Sequence, residues 1–174
     1  KHYHKIDNQK IANELDNTNN IVNHLKEYIT NYNTFLFIAS DPYDYDKIDS
    51  YSKLLFEGLS LSEIIFNNYL ILDRRTISKA KEFVESSDVI FLSGGDTYIQ
   101  SEFFKSINLK ELLKDYPNPI IGQSAGSINL ASNTYNSPEE GNNSEPIYFE
   151  GLSLSNLNIE PHFIKDDSKF NELE

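Results

Sequence analysis

The sequence predicts an α/β fold: three layers, with a mostly parallel open sheet carrying helices on both faces. Three observations predict it. Short unbroken apolar runs at 35–39 and 89–92, and the pair Ile120-Ile121, stand between turn-forming residues, the mark of strands buried on both sides. Stretches of helical spacing separate these runs, so that strand and helix alternate four times. The loop after the first run, Ser40-Asp41-Pro42 onward, lies where such folds place ligands, at the C-terminal ends of the strands.

The elements follow in order. Residues 1–8 carry His2 and His4, an i, i+2 pair that reads as solvated loop rather than a metal site. Across 9–30 the residues Ile11, Leu15, Ile21, Val22, Leu25, Tyr28 and Ile29 recur at roughly helical spacing, interrupted at 17–20, which predicts two helices or a broken one. His24 is expected on that helix, partly exposed. After the strand at 35–39, a helix is expected over 46–56, stopped by Gly58. The apolar stretches 64–66 and 69–72 predict one interrupted strand or two short ones. Thr76 is expected to cap a helix through 85, with Ile77, Ala80, Phe83 and Val84 facing inward. The strand at 89–92 runs into Ser93-Gly94-Gly95-Asp96-Thr97, with a helix beginning near Thr97. Asn108 is expected to cap a helix over 109–116, which Pro117 and Pro119 end. Residues 132–145, rich in Asn, Ser, Glu and Gly, read as exposed loop. Residues 147–152 predict a strand and turn, 157–163 a further strand-like segment, and 164–174 the start of a helix.

The 174 residues, 39% of them hydrophobic, suffice for one α/β domain spanning 1–174 with a real core. No repeat or linker divides it. Met is absent even at position 1, so the chain is read as starting after its true beginning, without the first strand of the fold and without a C-terminal part. Cys is absent, which excludes disulfides, thiolate metal sites and cysteine nucleophiles. The formal charge of −12 disfavours nucleic acid and anionic membranes as partners. There is no apolar run near the length of a membrane span and no signal-peptide pattern, so a cytoplasmic location is expected. No metal or cofactor is called for.

The chemistry centres on Gly122-Gln123-Ser124-Ala125-Gly126. It follows a strand end and leads into Ile128, Leu130 and Ala131, which can line one side of a helix. Strand, sharp turn and helix make a nucleophile elbow: the turn strains the serine, exposes its hydroxyl and needs small neighbours. The Ala125 amide then sits at a helix start, where an oxyanion can be stabilised. The alternative is an ordinary strand-to-helix turn with a capping serine. Gly94-Gly95 likewise reads either as a tight turn or as backbone amides brought to the sheet edge.

Ser-Gly-Gly-Asp-Thr after one strand, Gly-Gln-Ser-Ala-Gly after the next, and Glu160-Pro161-His162-Phe163 farther on together resemble the S51 serine peptidases, the family of peptidase E and cyanophycinase. The resemblance covers about 35–163. It implies a fold like the class I glutamine amidotransferases, with Ser124 as nucleophile and His162 as general base. It also implies an oxyanion hole built from the amides of Gly95 and Ala125, with Gly94 beside it. The sequence departs from the family pattern in three places. Asp96 stands where Asn usually follows the two glycines; it either faces the substrate, repelling an acidic side chain, or caps the next helix. The family's acid lies well beyond the histidine and is expected outside this chain, while Glu139 or Glu140 can support the site. Where aspartyl dipeptidase has arginine after Pro-His-Phe, only Lys165 and Lys169 follow. The expected partner is a short peptide, acted on by a monomer or homodimer. Two other readings are an α/β-hydrolase esterase, whose order of Ser, acid and His and upstream oxyanion motif are not seen here, and a catalytically degenerate binding module.

Overall fold

Thr34–Ile38 forms the strand on which the sheet is built, and all five of its residues are buried. The computed structural model describes residues 3–7, 9–136 and 147–159. In chain order it contains β1 (Tyr3–Ile6), β2 (Gln9–Ala12), α1 (Ile21–Tyr28), β3 (Thr34–Ile38), α2 (Tyr45–Leu61), β4 (Asn68–Leu72), α3 (Ala80–Ser86) and β5 (Val89–Leu92). There follow α4 (Thr97–Ser106), α5 (Leu109–Leu113), β6 (Ile120–Gly122), α6 (Ala125–Ile128), β7 (Asn133–Asn136) and β8 (Ile147–Glu150). The central sheet has the order β4-β3-β5-β6, and every pairing in it is parallel.

That order means the chain steps outward from β3 to β4, then back across β3 to β5 and on to β6. Right-handed crossovers therefore put α2 on one face and α3, α4 and α5 on the other. The side chains agree. Phe35 and Phe37 point to one face, where Phe56 of α2 meets both at 5.9 and 6.4 Å, and Phe91 stacks beside them. On the opposite face Leu36, Ile38, Ile90 and Leu92 are fully buried, and α3 and α4 both pack on α5. The sheet is thus the middle of three layers, and the strand order reverses between β3 and β5. Crevices at such a reversal, beyond the strand C-termini, are where open α/β sheets bind ligands.

Several elements differ from the expectation. Residues 9–12 are not helical; they pair antiparallel with 3–6, with Asp7 at φ 47° in the turn. The hairpin is held by long-range packing: Tyr3 lies edge-on to Tyr51 of α2 at 6.3 Å, and Lys10 sits over both rings. Helix α1 begins only after 17–20, where the Val22 amide donates to Asn17 Oδ1. Helix α2 passes through Gly58 because Leu59 beyond it is buried in the core. It ends where Ser62 closes on the Gly58 carbonyl and Glu63 takes φ 61°. Residues 64–66 form no strand, though Ile64 and Phe66 are buried anchors.

Thr76 does not cap a helix. Its hydroxyl donates to the Ile71 carbonyl, and a 3-10 turn, Ile77–Lys79, precedes α3. Asn108 adopts φ 52° and makes no side-chain cap, and α5 is shorter than expected. Helix α6 stops at Ile128, so Leu130 and Ala131 lie beyond it. Part of the expected loop at 132–145 is strand β7, paired with β8. Residues 157–159 form no strand, and the expectations for 160–163 and 164–174 fall outside the described residues. Among the described residues no helix is long and apolar enough to cross a membrane, and no group of His, Asp and Glu is placed to hold a metal.

A close backbone contact joins α6 to β5. A Cβ added to Gly126 would lie 2.2 Å from the Leu92 carbonyl oxygen, and one on Gly122 would lie 2.7 Å from Ser127 Cα. Backbone cannot yield as a flexible side chain does, so Gly126→Ala is expected to cost about 3 kcal/mol. Urea unfolding of the two proteins checks this; a midpoint unchanged by the methyl group would show that α6 does not pack on β5 this closely.

Candidate active site

Ser124 sits between β6 and α6 with φ 48° and ψ −114°. For a residue with a side chain such a conformation costs of order 1–3 kcal/mol and persists only where surrounding structure enforces it. Here the enforcement is visible. The Gln123 amide donates to the Leu92 carbonyl at 3.0 Å. The Ser124 carbonyl accepts from Ser127 at 2.8 Å and from Ile128 at 3.0 Å. Gly122 and Gly126 lie against neighbouring backbone as described above.

The capping-serine reading fails, because the Ser124 side chain makes no cap hydrogen bond. Its residue is exposed, while Ala125 beside it is fully buried. Among the described residues the Ala125 N–H has no acceptor.

The loop after β5 faces the elbow. A Cβ on Gly94 would lie 3.4 Å from Ser124 Cβ and 3.3 Å from the Gln123 carbonyl oxygen. The amides of Gly94, Gly95 and Asp96 also lack acceptors among the described residues. The fold therefore gathers an exposed serine and backbone N–H groups without acceptors among the described residues at two adjacent strand ends; a developing oxyanion needs donors of this kind.

Asp96 takes the second of its two expected roles. Its Oδ1 accepts from the Ile99 amide at 2.8 Å, capping α4, and it does not line the cavity near the elbow. His162, Glu139, Glu140, Lys165 and Lys169 lie outside the described residues.

The structure adds residues that the motifs did not reveal. A cavity of about 110 Å³ opens at the reversal of strand order, lined in part by Ser40, Asp41, Asp44, Tyr51, Ser93 and Gly94. The Ser40 hydroxyl, nearly buried, donates to the Gly94 carbonyl at 2.9 Å. Gln123 donates to the Tyr51 hydroxyl at 3.2 Å, while its buried Oε1 finds no donor among the described residues.

Beneath the site Gln100 donates to the Ser93 carbonyl at 2.7 Å, and Asn129 donates to Gln100 Oε1 and to the Thr97 carbonyl. Both residues are fully buried, so this network ties α6 to the start of α4. Behind the cavity wall Arg75 bridges Asp73 and Asp49 and stacks on Tyr45 at 4.8 Å, holding the Asp49 carboxyl below its usual range. Only the position of Ser40, directly beyond a buried strand, carried any signal in the sequence. A larger cavity, about 180 Å³, lies between α4, α5 and the end of β8 and contains no residue of the glycine loop or the elbow; size alone does not locate the chemistry.

If Asp96 serves as a cap, Asp96→Ala should lower stability by about 1 kcal/mol and Asp96→Asn by much less. Chemical denaturation of the three proteins decides; equal stabilities would mean that the carboxylate is not spent on α4.

Comparison with known proteins bears on the family and the fold. The sequence model of peptidase family S51 matches residues 10–173. A curated peptidase E from Nostoc sp. (strain PCC 7120 / SAG 25.82 / UTEX 2576) is 30% identical over 93 residues, a match covering 50% of this chain and 37% of the relative. The chain thus aligns with well under two thirds of that protein's length. A 1.5 Å crystal structure of a protein from Listeria monocytogenes EGD-e, described as a candidate peptidase E, superposes with a TM-score of 0.58 at 18% identity, covering 87% of this chain and 77% of that one. At that identity the likeness speaks for the fold, which is the class I glutamine amidotransferase-like arrangement expected from the motifs. With elbow, glycine loop and sheet order in agreement with a family match across most of its length, the chain belongs to peptidase family S51.

Proposed function

We propose that the protein is a serine-type peptidase that hydrolyses short peptides through an acyl-enzyme on Ser124. The observation that carries this reading is Ser124 itself: a non-glycine residue held at φ 48° whose hydroxyl caps nothing. An elbow that merely turned the chain would gain by placing glycine there.

In the proposed reaction Ser124 Oγ adds to the scissile carbonyl carbon as His162 takes its proton. The carbonyl oxygen becomes an oxyanion received by the N–H groups of Gly95 and Ala125. The C–N bond then breaks, the amine leaves with the proton from His162, and water attacks the ester by the same route in reverse. The role of His162 rests on the family motif, as does that of an acid supporting it. The limit to short substrates is supported by the cavity that reaches Gly94 of the glycine loop, whose volume of about 110 Å³ is on the scale of a single residue.

Two measurements test this. A fluorophosphonate should label the protein at Ser124, located by mass spectrometry of the digested adduct. Ser124→Ala should keep the circular dichroism spectrum and lose turnover of a dipeptide panel by about 10⁶. Turnover retained within tenfold would mean another nucleophile. Efficient digestion of casein, abolished in Ser124→Ala, would keep the serine mechanism and overturn the restriction to short substrates.

A further inference from the structure

The Gly94-Gly95 peptide presents one of the two proposed oxyanion donors, yet glycine on both sides leaves its orientation free. A Gly-Gly peptide has no Cβ to oppose rotation of the plane. In a trans peptide the carbonyl and the following N–H point in opposite directions, and no cis bond occurs among the described residues. Turning this plane over would aim the Gly94 carbonyl oxygen, rather than the Gly95 N–H, at the oxyanion. Something must select one orientation.

Along the backbone from Gly94 N to Asp96 N, the only hydrogen bond among the described residues is the one that Ser40 Oγ donates to the Gly94 carbonyl, at 2.9 Å. The sheet order then fixes what this bond does. Strand β5 lies between β3 and β6, so the loop carrying Gly94 and Gly95 has Ser40, beyond β3, on one side and Ser124, beyond β6, on the other. A carbonyl drawn toward Ser40 sends the next N–H toward Ser124.

The fit is close. Ser40 is 7% exposed, and a Cβ on Gly95 would lie 2.2 Å from Ser40 Oγ. Ser40 can hold the peptide at this range only because residue 95 is glycine. The second glycine of the pair is thereby explained by Ser40.

We infer that Ser40 is the positioning residue of the oxyanion hole, orienting the Gly94-Gly95 peptide so that the Gly95 N–H faces the Ser124 hydroxyl. The inference rests on the peptidase reading. Ser40 touches no reacting atom; it acts through the peptide. Its loss should lower the fraction of molecules with the donor in place, without altering how the ground-state substrate binds.

The test uses a fluorophosphonate on the full protein, together with the best substrate of the dipeptide panel. In labelling, Ser124 Oγ bonds to phosphorus as fluoride leaves and the hydroxyl proton passes to the general base, while the phosphoryl oxygen occupies the oxyanion position. Removing one hydrogen bond that biases a two-state peptide should cost a factor of about three to ten. Ser40→Ala is therefore expected to lower both kcat and the maximal labelling rate by that factor, with KM and the probe's half-saturation concentration unchanged. Ser40→Cys, which keeps the volume and a weak donor, should fall between, and is read in place of Ala should that variant fail to fold. Ser87→Ala, a buried hydroxyl on the far side of the fold donating to the Phe83 carbonyl, should lose stability alone. Unchanged kcat and labelling rate in a folded Ser40 variant, or a change confined to KM, would overturn the inference and leave the peptidase reading standing. An unsubstituted protein that neither labels at Ser124 nor turns over any dipeptide would overturn both.

Discussion

The contact on which the site depends is the approach of Gly126 to the Leu92 carbonyl. It brings the start of α6 onto the end of β5 at a distance that no side chain permits. With the β5–β6 pairing up to Leu92 and Gly122, it leaves Gln123 and Ser124 only a sharp turn in which to pass from strand to helix. The positive φ of Ser124 is the consequence, stored strain of order 1–3 kcal/mol that the amides of Ser127 and Ile128 offset by bonding the Ser124 carbonyl. An exposed hydroxyl beside an unpaired amide is what such a turn leaves over.

The same packing explains why the two halves of the site stay together. The glycine loop after β5 is pressed between Ser40 on one side and the elbow on the other. Below it, the buried amides of Gln100 and Asn129 join the Ser93 carbonyl to α6. Breaking a buried network of this kind leaves polar atoms unpaired at a cost of roughly 1–3 kcal/mol each, which favours one arrangement over many. On the proposed reading the donors are held in place before any substrate arrives, as electrostatic stabilisation of a transition state requires.

The elbow and the glycine pair were legible in the sequence because they are local: small residues at fixed spacing, each answering a steric need of one turn. The strands at 35–39 and 89–92 were legible because burial on both faces leaves an unbroken apolar run. The N-terminal hairpin was not, since Ile11 and Leu15 fit a helical period and only distant rings, Tyr51 above all, decide the matter. Of Ser40 only its place in the loop beyond a buried strand was legible. Gln100 and Asn129 are polar residues that tertiary packing alone buries. At Asp96 the sequence allowed both a substrate-facing and a capping carboxylate, and the nearby Ile99 amide settles which one the fold uses.

The central claim is that Ser124 and two backbone amides from neighbouring strand ends form one reaction centre. A crystal structure of the fluorophosphonate adduct tests it most directly. The account predicts phosphorus bonded to Ser124 Oγ, with the phosphoryl oxygen about 2.7–3.1 Å from both the Gly95 and the Ala125 nitrogens. An adduct on another residue, or a phosphoryl oxygen turned away from both amides, would contradict it.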